Sequence, residues 1–143
     1  MINAERFAYS QVVDNFGATS FSPYLPLTLS YRKTHIMTSG LLDTGASVNV
    51  MPYQIGLQLG ARWEQQNTSI QLAGNLANLP AYGLLITATV AQIPPVRLAF
   101  AWTRAENVPL ILGQVNFFLE FDVCFFCSQN AFEIRPKNQL DTI

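Results

Sequence analysis

From Tyr24 to Tyr31 the chain reads YLPLTLSY, setting Leu25, Leu27, Leu29 and Tyr31 against Pro26, Thr28 and Ser30. A period of two is the spacing of a strand with one buried face, and no helix can bury that pattern. The pattern recurs, and it restricts the chain to sheet. In VRLAFAW, Val96, Leu98, Phe100 and Trp102 mark another clean face; TSIQL and AYGLLITATV read as further strands, separated by turn signals at AGN and IPP. The polar RKTH reads as a turn with His35 solvated in it, and IMTSGLL returns as a second strand. LILG is an apolar strand stopped by Gly113, and CFFCSQNAFEI fits a terminal hairpin across SQN. Two segments suit short helices: PYQIGLQLG, with Pro52 in its first turn and Gly60 ending it, and QVNFFLEF. The expected fold class is therefore all-β, with one or two short helices.

A chain of 143 residues fits one domain with a real core. No repeat, low-complexity tract or linker divides it. Half the residues are apolar and only 12% are charged, well under the roughly 25% usual for soluble domains. Such a chain is expected to cover part of its surface with a partner, most simply a second copy. A net charge of −1 without a basic cluster argues against nucleic acid, whose binding rests on phosphate neutralisation. Apolar runs break before the roughly 20 residues of a membrane span, and the amino terminus has no basic region followed by an apolar core. The expectation is a cytoplasmic protein with no membrane partner.

Cys124 and Cys127 have the spacing of metal or redox motifs. Positions i and i+3 of a strand face opposite ways, the single histidine is distant, and no βαβ unit follows. Two ordinary thiols are expected, one buried and one nearer the surface, with no metal and no cofactor.

The stretch GLLDTGASVNV sets Asp43 in an apolar run. A carboxylate there must be solvated on a loop or held by hydrogen bonds, because burying it unpaired costs several kcal/mol. Asp-Thr-Gly is acceptable turn chemistry, with the carboxylate bonding local amides and the glycine taking positive φ. A phosphoaspartate site would call for alternating helices, which this pattern lacks.

Leu41-Leu42-Asp43-Thr44-Gly45-Ala46-Ser47, followed downstream by Leu110-Ile111-Leu112-Gly113, resembles the retropepsin-like, single-domain aspartic proteases. The likeness covers Tyr24 to Pro136, with LGARW, Ala73-Gly74-Asn75 and LPAYG falling where such enzymes carry the helix-like segment and the flap. It implies a small closed acid-protease barrel at residues 24–136. Residues 1–23 become an N-terminal segment and a candidate part of the dimer interface, and residues 137–143 a C-terminal tail. Asp14, Asp122 and Asp141 lack a following Thr-Gly, so the resemblance implies a homodimer with Asp43 of each subunit forming the catalytic pair. It further implies that Thr44 bonds across the dimer, Gly45 lets its backbone approach the carboxylates, and Leu112 and Gly113 support the loop. Ala46, Ser47 and Val48 would border the substrate, and a flap hairpin at Ala73, Gly74 and Asn75 would close on an extended, mostly apolar peptide. The chain departs from the family in Val48 and Asn49 and in a flap that is not glycine-rich beyond Gly74. The implied function is aspartic endopeptidase; the alternative is an inactive dimer of the same fold that binds peptide or joins partners.

Overall fold

The computed structural model describes residues 4–137; all but the first residue of the expected tail at 137–143 lies outside the described residues. The chain begins with three short strands, β1 (Glu5–Ala8), β2 (Ser10–Val13) and β3 (Thr19–Ser22). The long strands β4 (Tyr24–Tyr31) and β5 (Thr34–Leu42) follow, then β6 (Asn49–Met51) and α1 (Tyr53–Gln58). After an irregular stretch come β7 (Ala81–Thr89), β8 (Val96–Thr103), β9 (Leu110–Leu112), α2 (Phe117–Glu120), β10 (Phe121–Phe126) and β11 (Ala131–Pro136). The fold is mainly β.

Six strands close a barrel in the order β4-β5-β9-β6-β8-β7, sealed by pairing of β4 with β7. The alternation of the sequence turns Leu25, Leu27 and Leu29 of β4 inward, with Leu84, Ile86 and Ala88 of β7 and Leu98, Phe100 and Trp102 of β8. Full burial of one such side chain stabilises by about 1.5–3 kcal/mol, so inverting the register of any of these strands would forfeit several at once. β9 runs parallel to β5 and meets β6 at Val50 and Ile111. This junction carries the ends of β5 and β9 side by side.

Helix α1 lies against Trp102. A Cβ on Gly56 would enter the Trp102 ring, and the indole Nε1 donates to the Tyr53 carbonyl at 3.1 Å. Gly60, at φ +88°, takes the chain out of the helix. Phe117 of α2 is buried and stacks on Phe121 at 4.7 Å. Among the described residues no helix is long and apolar enough to cross a membrane.

Residues 4–23 are not an irregular lead-in. β1 joins β11 and β10 in a three-stranded sheet, and β2 with β3 forms a separate two-stranded hairpin. Three expectations need correcting. TSIQL is not a regular strand: it makes one isolated bridge, Ser69 with Tyr82, because the chain turns away within a few residues. His35 lies on β5, where it is exposed and pairs with Ser30 across the strands, since the turn takes only Arg32 and Lys33. Cys124 and Cys127 are both exposed; the β10 alternation that turns Phe121 and Val123 toward the core turns Cys124 outward, and Cys127 opens the turn to β11.

Candidate functional site

Asp43 follows β5 directly, and its amide donates to the Leu112 carbonyl at 3.0 Å, so the loop after β5 starts bonded to β9. The Gly45 amide donates to Asp43 Oδ1 at 2.9 Å and the Ala46 amide to the Asp43 carbonyl at 3.1 Å. The carboxylate is thus aimed by its own loop and remains half-exposed. A Cβ on Gly45 would lie 3.3 Å from Oδ1, and glycine leaves that approach open.

The second segment locks onto the first. Gln114 and Val115 amides donate to the carbonyls of Ala46 and Ser47 at 2.9 and 2.8 Å, and the Asn49 amide donates back to Val115 at 3.1 Å. Gln114 Nε2 reaches the Thr44 carbonyl at 2.8 Å. Gly113 is buried beneath this contact, where a Cβ would sit 2.5 Å from the Val48 carbonyl and 2.8 Å from that of Ala46. Both obstacles are backbone, so neither can swing aside. Leu112 is fully buried below.

Asn49 is fully buried at the centre of this crossing. Its Oδ1 accepts the Gly113 amide at 2.8 Å, and its Nδ2 donates to the Ala99 carbonyl and to Asn116 Oδ1 at 3.0 and 3.1 Å. Asn116 Oδ1 also accepts the Ala99 amide, and its Nδ2 donates to Arg97. Gln114 and Asn116 were not among the residues singled out from sequence, and Asn49 stood out only as a departure from the family pattern, with no role given to it; a polar residue between two valines was the available signal.

Thr44, Gly45 and Ser47 are exposed, while Ala46 and Val48 are half-buried. Val48 joins an apolar cluster with Val50, Ile111, Ala101 and Ala81, into which Leu72 and Leu76 also pack. Leu72 and Leu76 flank Ala73, Gly74 and Asn75, which are themselves exposed. The expected hairpin there is irregular. Its stem is bonded, Ile70 to Ala81 at 2.9 Å and Gly83 to Thr68 at 2.8 Å, but its end is a single 3₁₀ turn over Gly74–Leu76 with Gly74 at φ +64°. Gln71 Nε2 closes that end by donating to the Ala77 and Leu72 carbonyls at 2.8 and 3.2 Å.

A barrel whose first long hairpin ends in this loop has a solved counterpart. A retropepsin-like aspartic protease from Rickettsia conorii matches with a TM-score of 0.59 over 93% of this chain and 99% of that chain, at 12% identity. The chain has the retropepsin-like fold. The EIAV protease, solved with the inhibitor HBY-793, is 21% identical with a TM-score of 0.46, covering 72% of this chain and 88% of its own. No protein-family model and no curated protein matches the chain. The retropepsin-like barrel thus carries one Asp-Thr-Gly loop per chain, with a half-exposed carboxylate on a rigid base and an apolar cluster beside it.

Proposed function

We propose that the protein is an aspartic endopeptidase that dimerises to complete its active site and hydrolyses peptide bonds in extended, mostly apolar segments. The observation that carries this reading is the mounting of Asp43: a half-exposed carboxylate at a strand end, its Oδ1 accepting the Gly45 amide while the Asp43 backbone amide donates to the Leu112 carbonyl. A lone carboxylate does not hydrolyse amides efficiently. Two facing carboxylates share one proton, because both cannot ionise at short range. The ionised one takes a proton from water as the oxygen attacks the peptide carbon, and the protonated one donates to the carbonyl oxygen. Collapse of that adduct breaks the C–N bond as the amine nitrogen gains a proton. Each chain offers one Asp-Thr-Gly, so the second carboxylate is the Asp43 of another subunit, related by a two-fold axis.

The residues lining the site would serve the substrate. Val48 and its aliphatic neighbours favour apolar side chains, and Ala46 and Ser47 border the peptide backbone. The segment bearing Ala73, Gly74 and Asn75 covers it. The test is digestion of a peptide library by wild type and by Asp43→Asn across acidic to neutral pH, with sedimentation in parallel. Cleavage by the wild type, absent from a still-dimeric Asp43→Asn, is the expected result. A wild type that binds peptide without cleaving it would favour the inactive, peptide-binding alternative.

A further inference from the structure

The segment bearing Ala73, Gly74 and Asn75 hangs on a short stem, bonded from Ile70 to Ala81 and from Gly83 to Thr68 on either side of the bridge between Ser69 and Tyr82. A two-stranded ladder this short is marginal by itself, so what stands at its base sets how the segment lies. At that base a single 3₁₀ turn over Trp63–Gln65 opens the incoming leg. The Trp63 ring meets Tyr82 of the outgoing leg at 4.8 Å, Trp102 of β8 at 5.0 Å and Tyr53 of α1 at 5.6 Å, each time edge to face. Such contacts fix ring orientation as well as separation. Trp102 is fully buried, while Tyr53, Trp63 and Tyr82 are half-buried. The cluster therefore joins the leg to the barrel wall and still reaches water.

Arg104, the first residue after β8, lies on this cluster. Its guanidinium carbon is 4.8 Å from the centre of the Tyr53 ring and 5.4 Å from that of Trp63, within the range over which an aromatic face attracts a cation. Among the described residues the guanidinium has no ion-pair partner, so the two rings are its anchors. The Arg104 amide donates to the Pro80 carbonyl at 3.4 Å, and the Ala105 carbonyl accepts the Tyr53 amide at 3.0 Å. One residue thus reaches α1 and the incoming leg with its side chain and the outgoing leg with its backbone. From it the chain runs through residues 105–109 into β9, whose Leu112 carbonyl accepts the Asp43 amide.

We propose that Arg104 is a positioning residue for the reaction: stacked on Trp63 and Tyr53, it ties both legs of the 66–80 segment to the barrel and sets how often that segment lies closed over bound peptide. The inference rests on the reading of that segment as a cover for substrate. A planar guanidinium serves two rings at once, where a lysine ammonium offers a single point of charge. Loosening the base leaves the carboxylates and their loop in place. It lowers the fraction of molecules in the closed arrangement, and apparent affinity falls by that fraction. Arg104 therefore acts on peptide binding and not on the proton transfers.

Hydrogen exchange and steady-state cleavage by wild type, Arg104→Ala and Arg104→Lys test it. The side chain is exposed, and circular dichroism checks that the fold is kept. In Arg104→Ala the amides of Gln66, Ile70 and Gly83, bonded to the carbonyls of Trp63, Ala81 and Thr68, should exchange several-fold faster, with those of β4 and β5 unchanged. KM for an uncharged apolar peptide should rise roughly three- to tenfold while kcat stays within about twofold. Arg104→Lys should recover part of both effects. Unchanged exchange at the stem, or a kcat that falls at constant KM, would overturn the proposal. So would a rise in KM confined to acidic peptides, which would put the guanidinium on the substrate. A wild type that cleaves nothing, with exchange at the stem still quickened in Arg104→Ala, would sink the protease reading and leave the tie between Arg104 and the segment standing.

Discussion

Asn49 commits both ends of its amide to backbone and side chain around it, and that is why the loop before it can be exposed and still rigid. Removing the side chain strands the Gly113 amide in a buried place, where an unmet donor costs about 1–3 kcal/mol, and opens a small void as well. Asn49→Ala should therefore lower unfolding free energy by about 2–4 kcal/mol in urea titration. Asn49→Asp should not restore it: a carboxylate can accept from Gly113 but cannot donate to Ala99. Tyr9 carries a different kind of sensitivity. Partial burial, then its hydrogen bond to Cys127 and the charge of that thiolate, push its hydroxyl from 10.0 up to about 12. The folded state thus favours the protonated phenol, and its contribution is intact below pH 10 and lost as pH rises from 10 to about 12. The stability difference between wild type and Tyr9→Phe should be flat below pH 10 and move against wild type across that window. A difference that changes only below pH 10 would show that Tyr9 is not its source.

Elements reveal why some of this chain could be read and some could not. β4, β5, β7 and β8 are eight or nine residues long, enough for a two-residue period to repeat, and their alternation is visible in the sequence. β9 and the β10–β11 hairpin are framed by Gly113 and by the SQN turn. β1, β2 and β3 have four residues each, too few for alternation to stand out. TSIQL has strand composition, but its pairing stops after one bridge because the turn over Gly74–Leu76 is held by Gln71, a side chain whose target lies six residues away. The aspartate loop was legible as a motif; the asparagine under it was not, since Asn49 acts on a partner 64 positions later. Gln71 also yields a prediction. Its clip is exposed and worth about 1 kcal/mol or less, so Gln71→Ala should barely shift the urea midpoint. Amide exchange in residues 73–79 should nevertheless quicken, and unchanged exchange there would mean the turn stands without the clip. The Gly56→Ala change should act oppositely, destabilising the whole barrel by displacing α1 from Trp102.

At the scale of the molecule, six strands close on themselves while the strands with open edges gather outside the barrel, in the β2–β3 hairpin and in the β1-β11-β10 sheet. A closed sheet offers no strand edge for unwanted pairing, so association falls to the elements outside it. If the proposed dimer forms, unfolding and dissociation are linked, and the thermal midpoint should climb with protein concentration. A midpoint independent of concentration in the wild type would count against the two-subunit site. The antiparallel pairing of β1 with β11 has a consequence of another kind. It sets Glu5 opposite Ile134, so the first and last described strands lie side by side. A short glycine-rich bridge could join those ends, and new termini could be cut at the exposed Ala91–Gln92 turn between β7 and β8. Ala91 and Gln92 are themselves outside the core, which resumes on either side of them at Val90 and Ile93, so the rewired polypeptide should regain the same barrel, and its order along the thread would prove incidental to its shape.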